Sequence, residues 1–429
     1  MPEQYRQDTV AGLFDPPATA ARLAASGLFA QYVVYEREGC CHVAGDPLAH
    51  LRVDARAVHT ATGPVPWRGA PWAALSAAVR VSPVADAHAY GWLSFELAGG
   101  AAPDDDTVLA HLIVPATELT ITRRGIGIRT TDPALPGRLR AALAGPAPAA
   151  PAPKPVDVEA PDDTYRTRVA HAVAEIRKGA LDKVILSRTV DVPYPVDMPA
   201  TYAAGRLANT PARSFLLDLG GTQAAGFSPE TVVEAPGDGT ATTQPLAGTR
   251  ALTGDEDTDA ALCAELHRDP KEVYEHATSV RLAVEELTSV GALHTTRVGE
   301  FLTVKRRGSV QHLASRVTTD LAADRTAWDA LGAVFPPVTA SGIPKRAAYR
   351  LIGELEDEPR GLYAGAVLRA GADGSLDAAL VLRAVYQRDG RAWLRAGAGI
   401  VGASRPEREY EETCEKLRSV APHVVPRED

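Results

Sequence analysis

The chain has 429 residues and carries 45 Lys and Arg against 54 Asp and Glu, a net charge of −9; this excludes the basic face that general nucleic-acid binding requires. With 45% hydrophobic and 23% charged residues, it has an ordinary globular composition and enough length to bury a large core. No apolar run reaches membrane-spanning length, the start MPEQYRQDTV lacks a basic-then-apolar leader pattern, and four cysteines (Cys40, Cys41, Cys263, Cys414) show neither metal-ligand nor disulfide spacing, so a cytoplasmic protein without membrane or nucleic-acid partners is expected.

Residues 1–145 alternate short β-branched or aromatic runs with Gly, Pro and Asp turns. Segments 31–36, 92–97 and 107–114 have strand composition, and 70–81 and 136–143 read as helices. No chemistry-bearing residues cluster there, so this portion is assigned a scaffold role within one larger unit. A Pro/Ala-rich break follows, and 146–158 is expected to be an extended connector to a catalytic portion at 159–429. Tyr165, Val169, Val173 and Ile176, at steps of three and four, predict a helix over 162–179, followed by a strand at 182–190. Short strands and turns run on to Thr249. Then come a helix from Pro270 to about Val290, a strand pair near 301–306 and 311–316, a helix after Thr326, and a hairpin over 380–400 that turns at Asp389-Gly390. Short turns without a regular βαβ alternation predict an antiparallel α+β fold.

Two helices carry paired carboxylates. Asp269 suits an N-cap, Pro270 the first helical position and Glu272 the third, where its charge compensates the dipole. Glu275, three residues on, shares the face of Glu272, and two like charges side by side are favoured only around a cation. Farther on, Ser404 and Glu407 bracket Arg405-Pro406 as a candidate capping box, and Glu409, Glu412 and Lys416 fall on one face. Each helix alone reads as a solvated acidic face. Together, two carboxylate pairs with no Cys or His cluster suit a hard cation, magnesium rather than zinc.

Arg383 lies in Leu380-Val381-Leu382-Arg383-Ala384-Val385-Tyr386, where alternation puts it on an apolar strand face with Val381 and Val385. A guanidinium there needs an anion, either an internal Asp or Glu or a ligand carboxylate gripped by both nitrogens. Gly397 and Gly399, in the same hairpin, could offer bare N–H groups. Lys183 opens its strand; such a lysine usually snorkels to water, and a partly buried one can act as a base. Glu230, after Ser228-Pro229, reads as a loop carboxylate, and His312 as a hydrogen-bonded strand histidine.

In this order, Lys183-Val184-Ile185-Leu186-Ser187-Arg188, Phe227-Ser228-Pro229-Glu230, Pro245-Leu246-Ala247-Gly248-Thr249-Arg250, Lys271-Glu272-Val273-Tyr274-Glu275-His276, Thr339-Ala340-Ser341-Gly342-Ile343-Pro344-Lys345 and Gly397-Ala398-Gly399-Ile400-Val401 resemble the chorismate-utilising enzymes. The likeness spans roughly residues 160–425. Within that family, Arg307-Gly308-Ser309-Val310-Gln311-His312-Leu313 and Arg360-Gly361-Leu362-Tyr363 are most similar to salicylate synthases. Ala247 stands where aminodeoxychorismate synthases often carry a nucleophilic lysine. Lys183 is usually missing from ammonia-using anthranilate synthases. Both point to water as the nucleophile.

The resemblance implies an anthranilate synthase component I-like α+β fold of two antiparallel sheets flanked by helices. It implies Lys183 as general base for water at C2 of chorismate and Glu230 as acid for the C4 hydroxyl. It implies Mg2+ held by Glu275 and Glu412, with Glu272 and Glu409 behind waters, and Gly248, Thr249, Gly399 and Lys416 near the ring carboxylate. Arg383, Tyr363 and Gly397 would hold the enolpyruvyl carboxylate, and Leu246, His312 and Thr339 would line the ring. The expected outcome is salicylate and pyruvate, for siderophore or other secondary-metabolite synthesis, made by a monomer without a glutaminase subunit. An isochorismate synthase that stops after the first step is the alternative; an aminating synthase and a non-catalytic chorismate-binding protein are remoter ones.

Overall fold

Two long strands organise the structure, a computed structural model that describes residues 4–99, 104, 107–146, 151–308 and 310–428. Cys40–Val53 pairs with Ala110–Thr122 along its length, with a register shift between Pro47 and Ala49. Pro47 has no N–H to give the ladder, and Asp46 before it adopts φ 50°, so the pair bends there and each strand is shared by two sheets of one continuous hydrogen-bonded network.

One half joins Tyr32–Arg37 and Gly125–Thr130 to Arg213–Leu219, Thr222–Ser228, Ala384–Arg388, Arg391–Ile400 and Lys183–Val192. The other half joins His88–Leu93 to Ala366–Gly371, Leu376–Leu380, Thr231–Ala235, Thr240–Thr243 and Val317–Asp320. Every pairing among the described residues is antiparallel. A separate small sheet orders Leu246–Ala251, Val310–Ala314 and Thr303–Arg307.

Alternation decides the cores. Val33, Tyr35, Phe215 and Leu217 pack between the two large sheets with Val233, Leu368 and Leu380. Val34, Val43, Leu216 and Val385 face the other way, against Leu23 of helix Pro16–Ala25, Leu139 of Leu135–Ala144 and Tyr202 of Met198–Ala208.

Several expectations are met and several are corrected. The helix over 162–179 is observed as Asp163–Arg177, and the helix from Pro270 as Pro270–Thr288 with the Asp269 carboxylate capping Lys271 and Glu272 N–H. The supposed strand at 92–97 stops at Leu93, and Phe95–Ala98 is a 3-10 turn. That turn lets the Glu96 carboxylate accept the N–H groups of Arg360 and Gly361. The acidic stretch near Asp255 starts a helix, Glu256–Arg268, with Asp255 as its cap. No capping box forms at Ser404; Arg405 is the N-cap of Pro406–Leu417, and Ser404 Oγ accepts the Val401 N–H instead. Of the connector, 147–150 lie outside the described residues. Its far end is tied down, with Lys154 and Val156 N–H donating to Val424 and Ala421 carbonyls. No helix among the described residues is long and apolar enough to cross a membrane.

Candidate active site

The chain crosses between the large sheets twice in one neighbourhood. Ser228 ends a strand of the first sheet and Thr231 opens one of the second; Leu380 ends a strand of the second and Ala384 opens one of the first. Glu230 and Arg383 sit at these crossings. The Ser228 hydroxyl donates to the carbonyls of Leu380 (2.5 Å) and Glu230 (2.9 Å), and Phe227 N–H donates to Arg383 O. The strand expected to carry Arg383 beside Val381 and Val385 is therefore broken, and Arg383 takes φ 52°. A side chain at such a break leaves the sheet face and points into the gap between layers.

Arg383 has no carboxylate partner among the described residues, so the internal-ion-pair alternative falls. Its Nη1 reaches only the Arg307 carbonyl (3.4 Å) and its Nη2 the His312 Nε2 (3.3 Å). Burial, then the Arg307 charge, pulls its pKa down to about 10. A guanidinium only donates, so His312 Nε2 accepts and Nδ1 carries the proton towards Thr249 Oγ1 at 2.9 Å. Burial and the charges of Arg383 and Lys416 hold His312 neutral, with a pKa of about 3.

Glu230 is 3% exposed. The Thr339 hydroxyl stands 2.9 and 3.1 Å from its two oxygens, and the Leu246 N–H also bonds it. Burial outweighs these bonds and the Lys183 charge and lifts its pKa to about 8. At neutral pH it is a proton donor in waiting.

Lys183 is 7% exposed, and its Nζ lies 2.5 Å from Glu275 Oε1. Lys183–Val192 pairs with Arg391–Ile400 so that Ile185 opposes Gly399 and Ser187 opposes Gly397. Any Cβ on Gly399 would stand 3.1 Å from Lys183 Cε; glycine clears the path of that side chain. Lys416 Nζ bonds Glu412 Oε1 and the Gly397 carbonyl, both at 2.8 Å. Tyr363 is buried, its hydroxyl against Gly397, where a Cβ would meet both Tyr363 Oη and Leu186 O at 2.8 Å. Gly397→Ala should therefore displace Tyr363 and destabilise the fold by about 1–3 kcal/mol, read by denaturant melts. An unchanged melt would show that the site yields more easily than this packing implies.

Four carboxylates converge from two helices. Glu272 lies beside Gly248, which takes φ 81° and would bring a Cβ to 3.2 Å of Glu272 Oε2. Burial, then the neighbouring Glu275, raises the Glu272 pKa; burial raises that of Glu409, with Glu412 adding to it. For Glu275 and Glu412, burial is outweighed by Lys183 and Lys416, and both stay ionised. An all-oxygen set with two partly uncompensated carboxylates has the donor chemistry of a hard divalent cation. The set is not pre-gathered: among the described residues no three His, Cys, Asp or Glu side chains stand at ligating range. A cation would have to draw Glu275 and Glu412 away from their lysines.

Contacts thus link these sequence-derived positions in groups: Lys183 with Glu275 and Gly399, Glu230 with Thr339, Arg383 through His312 with Thr249, Lys416 with Glu412 and Gly397, Gly397 with Tyr363, and Gly248 with Glu272. A supporting cluster escaped sequence reasoning. Glu356, Arg360 and Arg395 form a buried ion network behind Tyr363. Arg360 stood in a motif, but nothing local marks Glu356 or Arg395 as its partners.

Residues 30–422 match the family model of the chorismate binding enzymes. A salicylate synthase of Mycolicibacterium paratuberculosis is 42% identical over 96% of this chain and 95% of its own. Anthranilate synthase component I of Streptococcus pneumoniae superposes with a TM-score of 0.78 at 27% identity, over 89% of this chain and 92% of that one. The menaquinone-specific isochorismate synthase of Escherichia coli shares the fold, with a TM-score of 0.76 at 22% identity over 98% and 95% of the two chains. With the family model matched along nearly the whole chain and a relative 42% identical over 96% of it, this protein belongs to the chorismate-binding enzymes.

Proposed function

We propose that the protein is a salicylate synthase, converting chorismate to isochorismate and then to salicylate and pyruvate. The observation that carries this is a buried Glu230 whose raised pKa is opposed by the charge of nearby Lys183, together with a buried Arg383 that has no carboxylate partner among the described residues. Chorismate has two carboxylates. Arg383, with Tyr363 and the Gly397 backbone, takes the enolpyruvyl carboxylate; the end of the cleft near Gly248, Thr249, Gly399 and Lys416 takes the ring carboxylate. Leu246, His312 and Thr339 line the ring.

To act as base, Lys183 first gives up the proton of the ammonium that pairs with Glu275; the neutral amine then accepts a proton from water as the water oxygen bonds to C2. Glu230 gives its proton to the departing C4 hydroxyl from the opposite side, so charge balances across the ring. Isochorismate, still bound, then passes its C2 hydrogen to the methylene carbon of the enolpyruvyl group as the C3–O bond breaks, which leaves pyruvate and the aromatic ring of salicylate. Ala247 leaves room for water where a longer side chain would compete. Glu275 and Glu412, with Glu272 and Glu409 farther out, are the residues to hold Mg2+, which when bound supplies positive charge to the ring carboxylate. We read the enzyme as a cytoplasmic monomer that needs no glutaminase and serves siderophore or other secondary metabolism, with residues 1–145 and 159–429 forming one folding unit joined by the connector at 146–158.

The test is incubation with chorismate and magnesium in the absence of ammonium, following salicylate fluorescence and pyruvate. Equimolar salicylate and pyruvate, lost on adding EDTA and restored by magnesium, is the expected result. Accumulated isochorismate without pyruvate would make the protein an isochorismate synthase. Activity undiminished by EDTA would remove the metal from the reading.

A further inference from the structure

Glu356 is a buried carboxylate that accepts hydrogen bonds from Ser187, Arg360 and Arg395, and among the described residues it bonds none of the site residues named above. It follows the helix Lys345–Leu355. Its Oε1 accepts Ser187 N–H (2.7 Å), Ser187 Oγ (2.9 Å) and Arg360 Nη2 (2.7 Å); its Oε2 accepts Arg360 Nε (2.9 Å) and Arg395 Nη2 (2.7 Å). The side chains of Glu356, Arg360 and Arg395 are 3%, 1% and 4% exposed, so water cannot replace these bonds.

What the network joins is informative. Ser187 lies on the strand that Lys183 opens and opposes Gly397. Arg395 lies on the Gly397 strand and also donates to Ser187 Oγ at 2.9 Å. Arg360 donates to the carbonyls of Ile185 (2.6 Å) and Ala340 (2.9 Å), next to Thr339. Both guanidiniums lie against the Tyr363 ring, Arg360 at 5.6 Å and Arg395 at 5.4 Å from its centroid. Two buried cations beside one ring repel each other unless a carboxylate bridges them. Glu356 is that carboxylate.

We infer that Glu356 is a positioning residue for substrate binding: by bridging Arg360 and Arg395 it fixes the Tyr363 ring, and so holds the Tyr363 hydroxyl at Gly397 where the substrate carboxylate is gripped. The inference rests on the functional reading above only in naming that carboxylate. It predicts a defect of binding rather than of chemistry, because neither Lys183 nor Glu230 bonds the network.

The test combines kinetics with fluorine NMR of protein carrying fluorotyrosine, the Tyr363 signal being assigned with Tyr363→Phe. Glu356→Gln should raise KM for chorismate about tenfold with kcat changed less than about threefold, and shift or split the Tyr363 signal. Should Glu356→Gln not fold, Ser187→Ala removes one donor without changing charge and should move both readouts the same way, less far. Glu356→Asp, which keeps the charge, should recover part of the KM loss. An unmoved Tyr363 signal, or a loss confined to kcat, overturns the inference. A wild-type protein that neither binds nor converts chorismate overturns the functional reading instead, and the Tyr363 signal alone then decides the positioning role.

Discussion

Lys183→Ala is expected to cut chorismate turnover by roughly 10³-fold or more while leaving chorismate binding largely intact, since a general base contributes in that range. Lys183 does not grip a substrate carboxylate in the proposed arrangement; Arg383 and Lys416 remain to do so. The loss should therefore fall on kcat, and single-turnover measurement of pyruvate would show the chemical step itself slowed. Substitution also strips Glu275 of the ammonium 2.5 Å away, so its carboxyl should titrate higher than in the parent protein. A variant that keeps a tenth of the parental kcat would remove Lys183 from the chemistry.

The second large effect concerns Glu230. As an acid it works protonated, so kcat should fall as pH rises through about 8. Glu230→Gln should lower kcat by about 10²–10⁴-fold and abolish that alkaline limb in what remains. The same group has a stability signature. Its folded pKa of about 8 lies above the ordinary 4.5, so its contribution is fully present below 4.5 and is lost as pH rises through the folded value. Glu230→Gln, which never ionises, should lack this alkaline decline and unfold at higher denaturant than the parent above pH 8. If melts of the two proteins run parallel from acid to alkaline pH, Glu230 is not the buried acid described here.

Local signals were legible where the cause was local. The Asp269 cap, its proline and the shared face of Glu272 and Glu275 follow from neighbours in sequence, and all three are observed. The strand pair around Gly308 and the Asp389-Gly390 turn also needed only nearby residues. Arg383 shows where such reading ends. Alternation placed it on a strand face, but its segment leaves one sheet and enters another, a decision made by Ser228 far away in sequence. Ser404 fails as a cap for a similar reason, since its hydroxyl is engaged by Val401 and Glu409. Glu356 and Arg395 were invisible because their meaning lies in each other. For the site itself, spacing suggested a cation and an anion grip, while the assignment of base and acid came from family resemblance; the raised pKa of Glu230 supplies a physical reason for its part.

The shared pair of long strands has a consequence for synthesis on the ribosome. Tyr32–Arg37 needs Arg213–Leu219 as a neighbour, and His88–Leu93 needs Ala366–Gly371. The amino-terminal strands therefore emerge long before their partners exist, with open edges and half of their apolar faces uncovered. Such distant pairings slow folding and expose the nascent chain to wrong partners. Chaperone demand during translation should accordingly be high, and ribosome-bound chains halted before residue 366 should remain sensitive to protease throughout their amino-terminal third.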